Sequence, residues 1–201
     1  MFEDLHNENS DCFTLKVFDI TDSKTAIKNL EALITELGGL DLLVIGSDIE
    51  EINQRPDIEI EKKTVSLNVV AFTEICDWIF NYFEKQKGGH LIAITSIVGL
   101  RGNWLMPICN APNSFILKYL HSLRLKAKGT MLPIYMADIR LGLIDPGKTN
   151  RVSLSWVSSA RKSALQIYTA IVRKKEIAYV TKRWKLVGLF FKIIPYESLT
   201  V

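Results

Sequence analysis

Much that would steer a first reading toward a metal, a disulfide framework or a membrane span is missing from this sequence. There are three cysteines, Cys12, Cys76 and Cys109, odd in number and far apart, with no C-x-x-C among them. Such a set reads as reduced thiols of a cytoplasmic protein, with neither a zinc site nor paired cystines. The three histidines, His6, His90 and His121, each stand alone, so no metal ligand set or triad suggests itself. No apolar run reaches the roughly 18 residues needed to cross a bilayer. The opening, MFEDLHNENSDC, is acidic and polar, unlike the basic and then apolar start of a secretory signal. A net charge of +3 on 201 residues is too small to argue for a nucleic-acid partner. There is no repeat and no low-complexity tract.

What is present is an alternation of strand and helix patterns, which predicts an α/β fold. Residues 14–18 (TLKVF) alternate as a strand and end in Asp19-Ile20-Thr21-Asp22, where Asp22 offers an N-cap. A helix over 23–37 follows, with Ile27, Leu30, Leu33, Ile34 and Leu37 on one stripe, stopped by Gly38-Gly39. The run LDLLVIG, 40–46, suits a buried parallel strand. A polar loop leads to a long helix over about 60–86, apolar on more than one stripe and therefore expected to be buried on two sides. Further strands are expected at 91–95, 131–139 and 176–180, with helices after Asn110 and near 159–173. The tail, 182–201, is basic and apolar together. Its 184–194 stretch is too short to span a membrane, and either lies in a membrane interface or caps the sheet edge. The segment GLIDPGKT, 142–149, satisfies the P-loop spacing. Pro146 removes one of the N–H groups such a loop needs, and the TNRVSLSWVS that follows is a poor helix start.

The densest signal is ITSIVGLRGNWLMPICNAPNSFI. A strand stops on the hydroxyl of Ser96, turns through Gly99 and Gly102, and enters a helix. Strand ends of this kind are where open α/β sheets bind ligands. The segment resembles the active-site stretch of the short-chain dehydrogenase/reductases, I-S-S-x-x-G followed by Tyr-x-x-x-Lys. Ser96 falls on that family's catalytic serine. Cys109 stands thirteen residues on, where the tyrosine belongs, and Asn113 takes the lysine position. Asn68 matches the family's active-site asparagine.

The resemblance implies more. Asp19 and Ile20 fall beside the adenine of the NAD or NADP cofactor, and Gly46-Ser47 takes the place of the N-N-A-G loop. Gly142 lies in a loop similar to R-P-G-x-v-x-T beside the nicotinamide, with Leu141 for the proline and Pro146 for the threonine. The glycine-rich loop that seats the pyrophosphate has no counterpart, because this sequence begins after it. The implied fold is a Rossmann-like three-layer domain over 1–201, with a mostly parallel sheet of about five strands that lacks the first βαβ unit. Its polar segment is 1–12. With two strands of the family sheet missing, the Asp19 strand is expected to pair directly with the strand at 40–46.

By resemblance the activity is NAD(P)-dependent oxidoreduction, and two readings stand open. One is a catalytically impaired homologue that serves as a dimerising or partner-binding module. The other is an active reductase of a lipid-like or small carbonyl substrate, with its cofactor-binding part lying outside this sequence or before a mis-called start. The implied homodimer uses helices about 60–86 and 108–127. Peripheral membrane contact through 182–194 is a further expectation.

Overall fold

The computed structural model describes residues 12–48, 57–102, 107–145 and 156–193. The chain forms two compact units, 1–40 and 41–201.

In the first unit, helix α1 (Ser23–Leu37) has the bounds its pattern predicts. Asp22 accepts from the Thr25 amide at its start, and Gly38, at φ 80°, closes its end in a left-handed conformation natural to glycine. Residues 14–18 form no strand, which corrects the expectation drawn from their alternation. Their side chains turn to α1 instead. Thr14 donates to Glu36 at 3.1 Å, and Lys16 pairs with the same carboxylate at 3.7 Å. Alternation gives a segment the right faces but no ladder of partners, and without a ladder it is not a strand.

The second unit is built on a parallel sheet of β1 (Leu42–Ile45), β2 (Gly89–Ser96), β3 (Ile134–Leu141) and β6 (Ile177–Val180), in that order. Among the described residues the sheet has four strands, where about five were expected, and the segment ending in Asp19 is not one of them, so the pairing expected for it is not seen. A separate two-stranded ladder joins β4 (Ile144–Asp145) to β5 (Ser158–Ser159). The register Gly89↔Ile134 to Ser96↔Leu141 makes β2 and β3 the long central pair.

The pleat sends alternate residues to opposite faces. On one side Ile92, Ala137, Ile139, Ala178 and Val180 pack with Ala170 of α5 (Ala160–Val172), a helix capped by Ser159. The helices between β1 and β3 supply the rest of the core. The expected long helix is observed as α2 (Ile58–Val65), a π-helical turn (Ser66–Ala71) and α3 (Phe72–Gln86) in unbroken succession. α3 buries a single stripe, Phe72, Ile75, Cys76, Ile79, Phe80 and Phe83, and leaves Val65 and Val70 of the preceding turns exposed. Burial on two sides was expected, and within this chain one side is buried. Trp78 and Tyr82, stacked at 6.0 Å, are the half-covered boundary.

α4 (Pro107–Gly129) buries Ile116, Leu117, Leu120, Leu123 and Ala127. Its Arg124 is buried too, donating to the carbonyls of Met136 at 3.0 Å and Glu176 at 2.8 Å. One side chain thereby ties β3 and the approach to β6 to the helix. A final helix, α6 (Trp184–Ile193), follows β6. Among the described residues no helix is long and apolar enough to cross a membrane. The remainder of the P-loop-like segment, 146–149, lies outside the described residues, as do 1–11 and 194–201.

Candidate active site

β2 ends on Ser96, whose backbone is still extended and whose Oγ accepts from the Val98 amide at 3.3 Å. That bond caps a short 3₁₀ turn, Ile97–Leu100, and holds the hydroxyl at the carboxyl end of the central strand, half-buried. The turn lies directly on α4. A Cβ at Gly99 would fall 2.7 Å from the carbonyl carbon of Asn113, so only glycine fits that approach. Ser114 donates to the Gly99 carbonyl at 2.7 Å, and Asn110 reaches the carbonyls of Val98 at 2.7 Å and Arg101 at 3.1 Å. The Ser96 turn and the Cys109–Asn113 turn of α4 are therefore in direct contact.

The two substituted positions point into packing. Cys109 and Asn113 are both 0% exposed. The Asn113 amide nitrogen donates to the Cys109 carbonyl at 3.0 Å, a bond to its own helix, and its Oδ1 is buried with no hydrogen-bond partner among the described residues. Asn68, buried in the π-helical turn, donates to the carboxylate of Asp48. π turns inside α-helices recur at functional sites because the extra residue re-aims a side chain.

Gly46 and Ser47 are exposed at the end of β1. Gly142 follows β3, and a Cβ there would collide with the indole of Trp184, which covers its open side. Trp184 packs edge-on to Trp156 at 5.5 Å. In the first unit, Asp19 is exposed and Ile20 half-buried. The Asp19 carboxylate accepts from the Thr21 amide at 2.8 Å and hydroxyl at 2.7 Å, and those bonds lower its pKa. Among the described residues no group of three or more His, Cys, Asp or Glu could hold a metal ion.

One buried network escaped the sequence reading. Thr95 donates to Asp138 at 2.6 Å, Asp138 pairs with Arg140 at 2.6 Å, and Arg140 donates to the Tyr179 hydroxyl at 2.8 Å. It runs across β2, β3 and β6 on one face of the sheet. Its signal was available in MADIR, opposite charges two apart in an otherwise apolar strand.

A parallel sheet with helices packed on it and a hydroxyl at the end of a central strand is a Rossmann-like α/β architecture, which places ligands at its strand ends. The family model described as short chain dehydrogenase matches residues 1–156, and the chain belongs to that family. Among curated proteins, an uncharacterized oxidoreductase of Myxococcus xanthus (strain DK1622) is 25% identical over 131 residues, 64% of this chain and 49% of the relative. The chain thus spans about half the length of that relative. Among solved structures, ElxO with NADP bound superposes with a TM-score of 0.73 at 14% identity, covering 89% of this chain and 82% of that one. The bulky-bulky ketone specific alcohol dehydrogenase of Comamonas testosteroni gives 0.71 at 18% identity, covering 96% and 78%. At such identities the likeness is one of fold.

Proposed function

We propose that this chain is an oxidoreductase homologue whose own residues do not complete a carbonyl reduction, and that it acts as a dimerising or partner-binding module. The observation that carries the reading is the burial of Cys109 and Asn113, with the Asn113 amide given to the Cys109 carbonyl. By resemblance these positions should present a phenol and an ammonium to the reacting oxygen and the ribose. A thiol is a weak hydrogen-bond donor, and a carboxamide brings no charge to lower a neighbour's pKa. Ser96 can still orient an oxygen, but it has no proton to give at neutral pH without an acid or base beside it.

The cofactor class that the resemblance and the NADP-bound neighbour point to is a nicotinamide dinucleotide. The residues at its reacting end do not fit it well, since the Trp184 indole rests on the glycine that would face the nicotinamide. The test is a fluorescence titration with NADH and NADPH, together with NADPH oxidation in the presence of a panel of aldehydes and ketones. No saturable binding at micromolar cofactor and no substrate-dependent oxidation are expected. Saturation with turnover would overturn the reading.

The second reading, an active reductase of a lipid-like or small carbonyl substrate completed by a cofactor-binding part outside this sequence, is favoured by one fact. The chain covers only 49% of its curated relative. Turnover gained when a cofactor-binding βαβ unit of a family member is joined to the N-terminus would favour it. The dimer would use the outer faces of α2, α3 and α4, where Val65, Val70 and Phe115 are exposed.

A further inference from the structure

Helix α6 has a packed side and an open one. On the packed side Trp184 lies on Gly142, and a Cβ at Gly188 would come within 2.8 Å of the Tyr179 ring. Val187 and Phe191 are half-buried. With 3.6 residues per turn, the opposite side carries Leu186, Leu189, Phe190 and Ile193, spaced by three, one and three. These four are 69%, 57%, 59% and 74% exposed. Single exposed apolar residues are ordinary, whereas four in one stripe on a ten-residue helix mark a contact surface.

The stripe borders a cleft of about 580 Å³ that runs along the outer edge of β6, and Leu189 belongs to both. Five cations line the cleft, Arg140, Arg173, Lys175, Lys182 and Lys185, and no carboxylate does. Arg140 has Asp138 as its counter-ion. The other four have no ion pair among the described residues. Ala170, Ile177 and Val180 are among the apolar residues that line the cleft.

We propose that α6 and this cleft bind the surface of an anionic bilayer, with the stripe entering the headgroup region and the cleft taking a lipid phosphate. The proposal does not depend on cofactor binding or catalysis. Interfacial helices need an apolar face edged by lysine or arginine, lying in the plane of the membrane. A ten-residue helix of about 15 Å is too short to span but long enough to lie there. Protein interfaces are depleted in lysine, so a cleft with three lysines, two arginines and no acid complements a phosphate-rich surface better than a protein one.

The full chain would be floated with phosphatidylcholine vesicles and with vesicles that also contain phosphatidylserine. Recovery with the anionic vesicles should exceed recovery with neutral ones by roughly tenfold or more and fall as salt is raised. Phe190→Glu with Ile193→Glu should abolish it with circular dichroism unchanged, because both side chains already face solvent. Lys182→Ala and Lys185→Ala should each weaken it roughly fivefold. Equal recovery with neutral vesicles, or indifference to the lysine substitutions, would overturn the proposal. So would binding of inorganic phosphate, followed by titration calorimetry, without vesicle binding. A dimer that the Phe190→Glu, Ile193→Glu chain loses in sedimentation velocity, with no vesicle binding by the parent, would assign the stripe to a second copy and equally refute a bilayer contact.

Discussion

Asp138 and Arg140 place a charge pair in the middle of a sheet, 1% and 9% exposed at their side chains. The pair is held by Thr95 on one side and Tyr179 on the other. Breaking a buried pair by removing one partner leaves the other charge in a poor solvent, at a cost of about 3–5 kcal/mol. Asp138→Asn should therefore lower stability in urea melts by that order, whereas Asp138→Leu combined with Arg140→Met should recover much of the loss. His90 makes a different prediction. Burial, aided by the positive charge of Lys174, holds its imidazole below the ordinary value of 6.5, and its Nε2 is buried with no hydrogen-bond partner among the described residues. Above that value both folded and unfolded chains are neutral at this residue. As pH falls through it the unfolded chain takes up the proton first, and stability is lost until the folded chain protonates as well. His90→Phe, keeping the edge-on contact with Tyr135 at 5.9 Å, should flatten the decline in unfolding midpoint between about pH 7 and pH 5.

The elements differ in how readily their sequence gave them away. α1 was legible to the residue, because an Asp N-cap, an apolar stripe and paired glycines are all local signals. The strand at 40–46 was legible from its continuous apolar run, but the double cover that such a run suits is not found, since β1 lies at an edge of the sheet with Leu42 and Val44 exposed. Residues 14–18 misled because pairing is a property of two segments, and the pattern shows one. The π turn at Ser66–Ala71 was invisible, since its extra residue leaves no mark on the apolar periodicity. At the candidate site, the Ser96 frame and the identities at Cys109 and Asn113 could be read directly. Their complete burial could not, nor could the indole over Gly142, which comes from a helix 42 residues later. That last contact is testable. Gly142→Ala would drive a methyl group into the Trp184 ring, and displacing α6 should cost about 1–3 kcal/mol and shift tryptophan emission to longer wavelength. An unchanged spectrum would mean that the indole does not pack there.

At the scale of the whole molecule, the proposed dimer would cover the outer faces of α2, of the π-helical turn and of α4. Val65 and Val70 are 40% and 49% exposed, and Phe115 is 37% exposed while stacked on Tyr119 at 5.6 Å. If these faces meet a second copy, sedimentation velocity should show a dimer. Phe115→Glu with Val70→Glu should turn it into a monomer without loss of helical signal, while Phe190→Glu should leave it intact. A monomer at every concentration would refute the dimer.

The Arg124 side chain, gripping one carbonyl in β3 and another just before β6, also bears on how the protein opens. The edge strand β6 is only four residues long and would ordinarily fray by itself. Fastened across its neighbour to a 23-residue helix, it gains protection from a lever much longer than itself. Amide protons at that edge should then exchange at the slow pace of the interior, because letting go of the rim means unlatching the middle.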